Sequence, residues 1–108
     1  MDNEHFGLKD GDMETIIAVL KKYPQIEQAL IFGSRAKGDY KHGSDVDLVL
    51  KGNVQDIVTQ ISFSLNEDSL LPYKFDVVDY NSISNQNLVD HINRVGIIFY
   101  EKKMDETG

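Results

Sequence analysis

Residues 45–51 read Asp-Val-Asp-Leu-Val-Leu-Lys, and their alternation constrains the fold more than any other stretch. Side chains on a β-strand alternate between its two faces, so Val46, Leu48 and Leu50 share one side while Asp45 and Asp47 share the other. Two carboxylates at i and i+2 of a strand stand about 6.5–7 Å apart along one face. The strand therefore belongs to a sheet that packs one face on a core and presents acid on the other. On its own, an Asp-x-Asp strand is ordinarily just a solvated sheet face.

The surrounding pattern supplies helices for that core. Asp12 can cap a helix from about Met13 to Tyr23, with Met13, Ile16, Ile17 and Leu20 on its apolar face and Pro24 as its stop. Ala29 to Phe32 is a short apolar strand that delivers Gly33-Ser34 at its end. Ser34 to Lys37 starts a short helix that Gly38 ends, and His42-Gly43-Ser44 turns the chain. Asn53 caps the next helix, whose stripe Val54, Ile57, Val58, Ile61 and Leu65 is core. Asn66 to Leu71 is a loop, and a third strand runs from about Lys74 to Val78. Ser84 caps a last helix with Leu88, Val89 and Ile92 inward, Gly96 ends it, and Ile97 to Tyr100 is a final strand or buried segment. The sum is a small mixed α/β (α+β) domain with helices on one sheet face and the acids on the other, which must stay open. The 108 residues form a single domain with an ordered core over about 10–101.

Three pieces of this chain converge on phosphate and metal chemistry. A glycine-serine turn, Gly33-Ser34, can present backbone N–H groups to phosphate oxygens. After ten intervening residues come Asp45 and then Asp47, close enough on a strand to reach a metal pair about 3.5–4 Å apart. Asp76, inside the apolar run Phe75-Asp76-Val77-Val78, offers a third carboxylate from a neighbouring strand. Arg35, directly after the turn, can reach phosphate or brace the aspartates. Lys41 and His42 suit a solvated turn. Asp79 has the opposite strand parity to Asp76 and reads as a strand-end acid unless a bulge resets it. Tyr73 and Tyr80 flank the third strand and suit packing better than stacking on a base. His5 and His91 have no matching ligand partners.

Charge and composition narrow the partners. With 11 Lys and Arg against 18 Asp and Glu, the formal net charge is -7, which argues against direct binding to a nucleic-acid backbone. There are no cysteines, so thiol nucleophiles and cysteine-ligated zinc are excluded. The opening residues do not form a signal peptide and no apolar run reaches membrane-spanning length, so the expectation is a cytoplasmic protein with no membrane association.

Gly33-Ser34-Arg35, the ten-residue spacing, Asp45 with Asp47, and Asp76 together resemble the nucleotidyltransferase superfamily related to DNA polymerase beta. The closer resemblance is to the minimal nucleotidyltransferases of bacteria and archaea, and it covers nearly the whole chain. It implies a mixed sheet, two Mg²⁺ ions (Mn²⁺ can substitute) and transfer of a nucleotidyl group from a nucleoside triphosphate, ATP being favoured, to a hydroxyl with release of pyrophosphate. By position, Gly33 and Ser34, with Arg35, would hold phosphates. Asp45 and Asp47 would bind metal. Asp76 would bind the catalytic metal and assist deprotonation of the attacking hydroxyl. Larger members of the superfamily carry further domains that grip base or acceptor, and such walls are absent from these 108 residues. The minimal members answer that shortage with a small helical partner of the HEPN or substrate-binding type. In several pairs that partner is a toxin silenced by added AMP. Two alternatives stand beside this reading: a non-catalytic nucleotide-binding or interaction module that neutralises its partner by contact, and, more weakly, an adenylyltransferase acting on aminoglycoside-like small molecules.

Overall fold

The computed structural model describes residues 4–5, 8–33, 45–69 and 71–102. The Ser34–Lys37 helix, its Gly38 end, Lys41 and the 42–44 turn expected from sequence lie outside the described residues, as do the positions of Ser34 and Arg35.

Strands β1 (Glu4–His5) and β2 (Leu8–Lys9) pair as a short antiparallel ribbon ahead of helix α1 (Asp10–Lys21). Leu8 is fully buried. The helix starts three residues before the expected Met13. Extended Lys9 is its cap residue, and the Asp12 carboxylate reaches back to accept the Lys9 N–H at 3.4 Å. Asp12 thus serves the helix start from inside the first turn, where an acid also meets the positive end of the helix dipole. Ile16 and Leu20 are fully buried on its inner face.

The main sheet has the order β5-β4-β3-β6. Strand β3 (Ile26–Phe32) is antiparallel to β4 (Val46–Gly52) and to β6 (Ile97–Glu101), while β4 and β5 (Phe75–Asp79) are parallel. The parallel pair requires a crossover, which helix α2 (Val58–Phe63) provides. A turn closed by the Ile57 and Val58 N–H groups on the Val54 carbonyl (2.9 and 3.0 Å) precedes α2, so the helix begins beyond the expected Asn53 cap. The stripe Val54, Ile57, Ile61 and Leu65 is nonetheless buried as expected. Beyond Phe63 the helix widens into a π-helical turn, Ser64–Asp68, closed by the Ser69 N–H on the Ser64 carbonyl at 3.0 Å. Part of the expected loop is therefore helical.

After β5, a 3₁₀ turn (Tyr80–Ser82) leads to helix α3 (Gln86–Val95). Its cap is Asn85, one residue beyond the expected Ser84; the Asn85 side chain accepts from the Asn87 and Leu88 N–H groups at 2.9 and 3.3 Å. Gly96 ends the helix as expected.

Both faces of the sheet carry core. On one, Ala29, Ile31, Val46, Leu48, Leu50 and Phe75 pack with α1 and α2. This is the helix-covered face that the alternation of β4 predicts. On the other, Leu30, Phe32 and Val49 pack with Ile92, and Val78 and Leu88 border them. The acid-bearing face is thus open only in part: α3 covers its middle, because Leu30, Phe32 and Val49 form an apolar patch there that water would otherwise meet. Among the described residues no helix is long and apolar enough to cross a membrane.

Candidate active site

Register decides which acids can cooperate. Asp47 on β4 lies directly opposite Asp76 on β5, and Leu50 lies opposite Asp79. Adjacent strands stand about 4.7–4.9 Å apart, so the Asp47 and Asp76 carboxylates emerge side by side on one face. Asp45, exposed just ahead of β4, has the same parity as Asp47. Asp76 is exposed and Asp47 half-buried.

The glycine of the turn meets one of the pair, Asp47. Phe32 is the last residue of β3 and lies opposite Asp47. Gly33 then turns off the strand with φ +77°, a conformation that favours glycine. A Cβ at Gly33 would run into the Asp47 carboxylate, with Asp47 Cγ only 3.2 Å away. The absence of a side chain at Gly33 is what lets the carboxylate lie against the turn. Residues 33 and 47 thus meet at the end of β3 where β4 and β5 begin.

Asp79 belongs elsewhere. It is buried, accepts the Asn81 N–H at 3.0 Å and the Ser82 hydroxyl at 2.8 Å, and thereby caps the 3₁₀ turn. Its parity is that of Phe75 and Val77, away from Asp47 and Asp76. The strand-end role expected for it holds, with no bulge between β4 and β5 to change it. Tyr73 and Tyr80 also have internal partners. The Tyr73 hydroxyl donates to Asp12 at 2.7 Å and its ring meets Phe75 edge-on, centroids 6.4 Å apart. Tyr80 donates to Asn93 at 3.2 Å and carries the Lys51 ammonium 4.6 Å above its ring.

Among the described residues no group of three or more His, Asp or Glu side chains is placed to hold a metal ion. The donor set nevertheless suits a hard cation: it is all carboxylate oxygen, on one open face, with two members paired across parallel strands. A cleft of about 480 Å³ opens beside β5, between Val58 of α2 and Leu88 of α3, and none of the three acids lines it.

Sequence reasoning did not find Asn66. Its side chain, on the π-helical turn, bonds both backbone groups of Phe75, the residue before Asp76. A lone Asn in a polar stretch gives no sequence signal for this.

The family model described as polymerase beta, nucleotidyltransferase matches residues 14–105. The chain belongs to this family. It is a nucleotidyltransferase domain with the polymerase beta-like fold, and Gly33, Asp47 and Asp76 fall within the matched span. No curated protein matches the sequence significantly.

Solved structures share the fold. One, described as a toxin–antitoxin with AMP-PNP, has a TM-score of 0.69 at 22% identity and covers 84% of this chain and 74% of its own. Another is the complex of the tri-AMPylated Shewanella oneidensis HEPN toxin with MNT antitoxin, with a TM-score of 0.64, 20% identity, and coverage of 86% and 72%. A putative nucleotidyltransferase from Sulfolobus solfataricus has a TM-score of 0.53 at 22% identity, covering 83% and 77%.

Proposed function

We propose that this nucleotidyltransferase domain transfers AMP from ATP to a hydroxyl on a small helical HEPN-type partner, as the antitoxin of a toxin–antitoxin pair in the cytoplasm. The observation that carries the catalytic part is the register of Asp47 against Asp76, with the Gly33 turn closed onto Asp47. The fold shared with a toxin–antitoxin holding AMP-PNP and with the complex of a tri-AMPylated toxin supports the donor and the partner.

In this reading Gly33 and Ser34 hold the outer phosphates through backbone N–H groups, and Arg35 adds charge there. Asp45, Asp47 and Asp76 hold Mg²⁺, or Mn²⁺ in its place. When bound, two such ions supply Lewis-acid polarisation, charge neutralisation and a template for in-line displacement. The acceptor oxygen forms a bond to the α-phosphorus, the bond from that phosphorus to the bridging α–β oxygen breaks, and pyrophosphate leaves with the electron pair. Asp76 sits at the acceptor side, where its carboxylate takes the hydroxyl proton. The remaining contribution is positioning and preorganised charge.

A second reading is a module that neutralises its partner by contact without turnover. The open disposition of the acids among the described residues favours it. One experiment separates the two: incubation with Mg²⁺ and each nucleoside triphosphate, with and without the helical partner, read by intact mass. A nucleotidyl adduct on the partner supports the enzyme. A tight complex with no adduct under any nucleotide supports the module.

A further inference from the structure

We propose that Asn66 is a positioning residue for Asp76, an inference that rests on the catalytic reading above. β5 is an edge strand of the main sheet. The Val46 N–H donates to the Lys74 carbonyl at 2.8 Å, so Lys74 turns its carbonyl toward β4. Backbone groups alternate in direction along a strand, so Phe75 turns its N–H and C=O outward, away from the sheet. Those are the groups Asn66 takes. The Phe75 N–H donates to Asn66 Oδ1 at 2.8 Å, and Asn66 Nδ2 donates to the Phe75 carbonyl at 3.0 Å. Since a backbone N–H can only donate, the orientation of the Asn66 amide is settled by this pair.

The side chain therefore stands in for one residue of a fifth strand. It is held from behind as well: Nδ2 also donates to the Ser62 carbonyl at 3.0 Å and lies 3.3 Å from Ser62 Oγ. Asn66 is a bridge with both ends fixed, one on the helix and one on the strand. The peptide plane it grips contains the Phe75 carbonyl and leads directly into the Asp76 Cα. That plane is restrained by β4 on its inner side and by Asn66 on its outer side.

The π-helical turn is the device that delivers the bridge. A single turn with i→i+5 bonding at the end of an α-helix is uncommon and recurs at functional sites. Here it follows α2 directly and carries Asn66. Without the bridge, the outward backbone groups of Phe75 would be free at the end of an edge strand, leaving Asp76 held by β4 alone in the kind of segment that frays. A carboxylate that must share a metal with Asp47 across a strand gap of about 4.8 Å cannot tolerate that. Displacement of a catalytic group by about 1 Å can cost 10²-fold in rate.

The test uses trace, substoichiometric Mn²⁺ in the Mg²⁺–AMP-PNP complex of the full chain as a paramagnetic probe, read on assigned backbone amides, so that broadening stays below saturation and grades with distance. In the wild type, the Asp47 and Asp76 amides should both broaden, and the Phe75 amide should resist hydrogen exchange although it lies on the free edge. In Asn66→Ala, Asp47 should broaden as before, Asp76 should broaden much less at the same Mn²⁺ concentration, and Phe75 protection should fall. Leu20→Ala, which opens a cavity under α1, is the control for simple destabilisation and should leave the Asp76 broadening unchanged. If Asn66→Ala does not fold, Asn66→Asp carries the comparison: it keeps the acceptor for the Phe75 N–H and loses the donor to its carbonyl, so Asp76 broadening should again fall. Equal broadening of Asp76 in wild type and the Asn66 variants, or a wild-type Phe75 amide that exchanges at a loop's rate, overturns the proposal. Failure of both aspartates to broaden in the wild type overturns the catalytic reading, and this inference with it.

Discussion

Gly33→Ala tests the contact between the turn and Asp47 through stability, independently of any assay of transfer. Two costs act on the substituted residue. At φ +77° an L-side chain pays about 1–2 kcal/mol for the left-handed conformation. The new methyl also meets the Asp47 carboxylate, which must swing away. For a domain of this size, 1 kcal/mol corresponds to about 4–8 °C in Tm, so conformational strain alone predicts a fall of about 4–16 °C. The carboxylate clash adds to it. The clash can be removed separately, because Asp47→Ala takes away the atoms that collide. In that background Gly33→Ala should cost only the conformational term. Thermal or denaturant unfolding of the four proteins closes the cycle, and the two substitutions should be non-additive by about 0.5–3 kcal/mol, the range for residues in contact. Gly52→Ala is the comparison. Its φ is +120° and its Cβ would run into the Gln25 carbonyl and meet the Glu27 backbone nitrogen at 2.9 Å, away from Asp47, so it should be destabilising and additive with Asp47→Ala. Additivity of Gly33→Ala with Asp47→Ala within about 0.3–0.5 kcal/mol would refute the contact.

Asp79→Asn keeps an acceptor for the Asn81 N–H but loses the oxygen that accepts the Ser82 hydroxyl, so it should cost about 0.5–1.5 kcal/mol, the net worth of one hydrogen bond, while the activity of the folded protein stays near wild type; unfolding curves beside a transfer assay read both. Asp47→Asn should weaken metal–nucleotide binding and abolish transfer, whereas Asp76→Asn should keep much of the binding, measured by calorimetry, and lose transfer by 10²-fold or more. Mg²⁺ with ATP should raise Tm and neither should do so well alone, because clustered carboxylates repel until a cation joins them; ligand at about 100 times its Kd adds about 2.7 kcal/mol. An unmoved melting curve at millimolar Mg-ATP would count against a nucleotide site complete in this chain.

The features legible in the sequence are those with a strict period or spacing. β4 could be read because Val46, Leu48 and Leu50 recur at every second residue opposite Asp45 and Asp47, with Val49 the one apolar residue on the acid-bearing side, and that same parity separated Asp76 from Asp79 before any pairing was known. The stripe from Val54 to Leu65 was legible for the same reason. What escaped was set by competition between near-equal local choices. Asp10 and Asp12 both suit the first turn of α1, and Ser84 and Asn85 are adjacent capping residues, so the helix starts moved by three residues and one. Periodicity shows that α3 has an apolar stripe but not which sheet face it meets; Leu30, Phe32 and Val49 decide that only once β3 and β4 are paired. For the site, the acid pair was readable and its Gly33 wall was half readable, since a turn glycine does not announce which side chain lies against it. Asn66 was invisible, because its role depends on a π-helical turn and on a strand nine residues later.

The most direct test of the account is intact-mass analysis of the helical partner after incubation with the wild-type chain, Mg²⁺ and ATP, beside the same reaction with Asp76→Asn. The account predicts an added AMP on the partner with wild type, none with Asp76→Asn although that variant still binds the nucleotide, and none when Mg²⁺ is removed by chelation. Undiminished AMP addition by a folded Asp76→Asn protein would contradict it, because the acid placed opposite Asp47 would then have no part in the transfer.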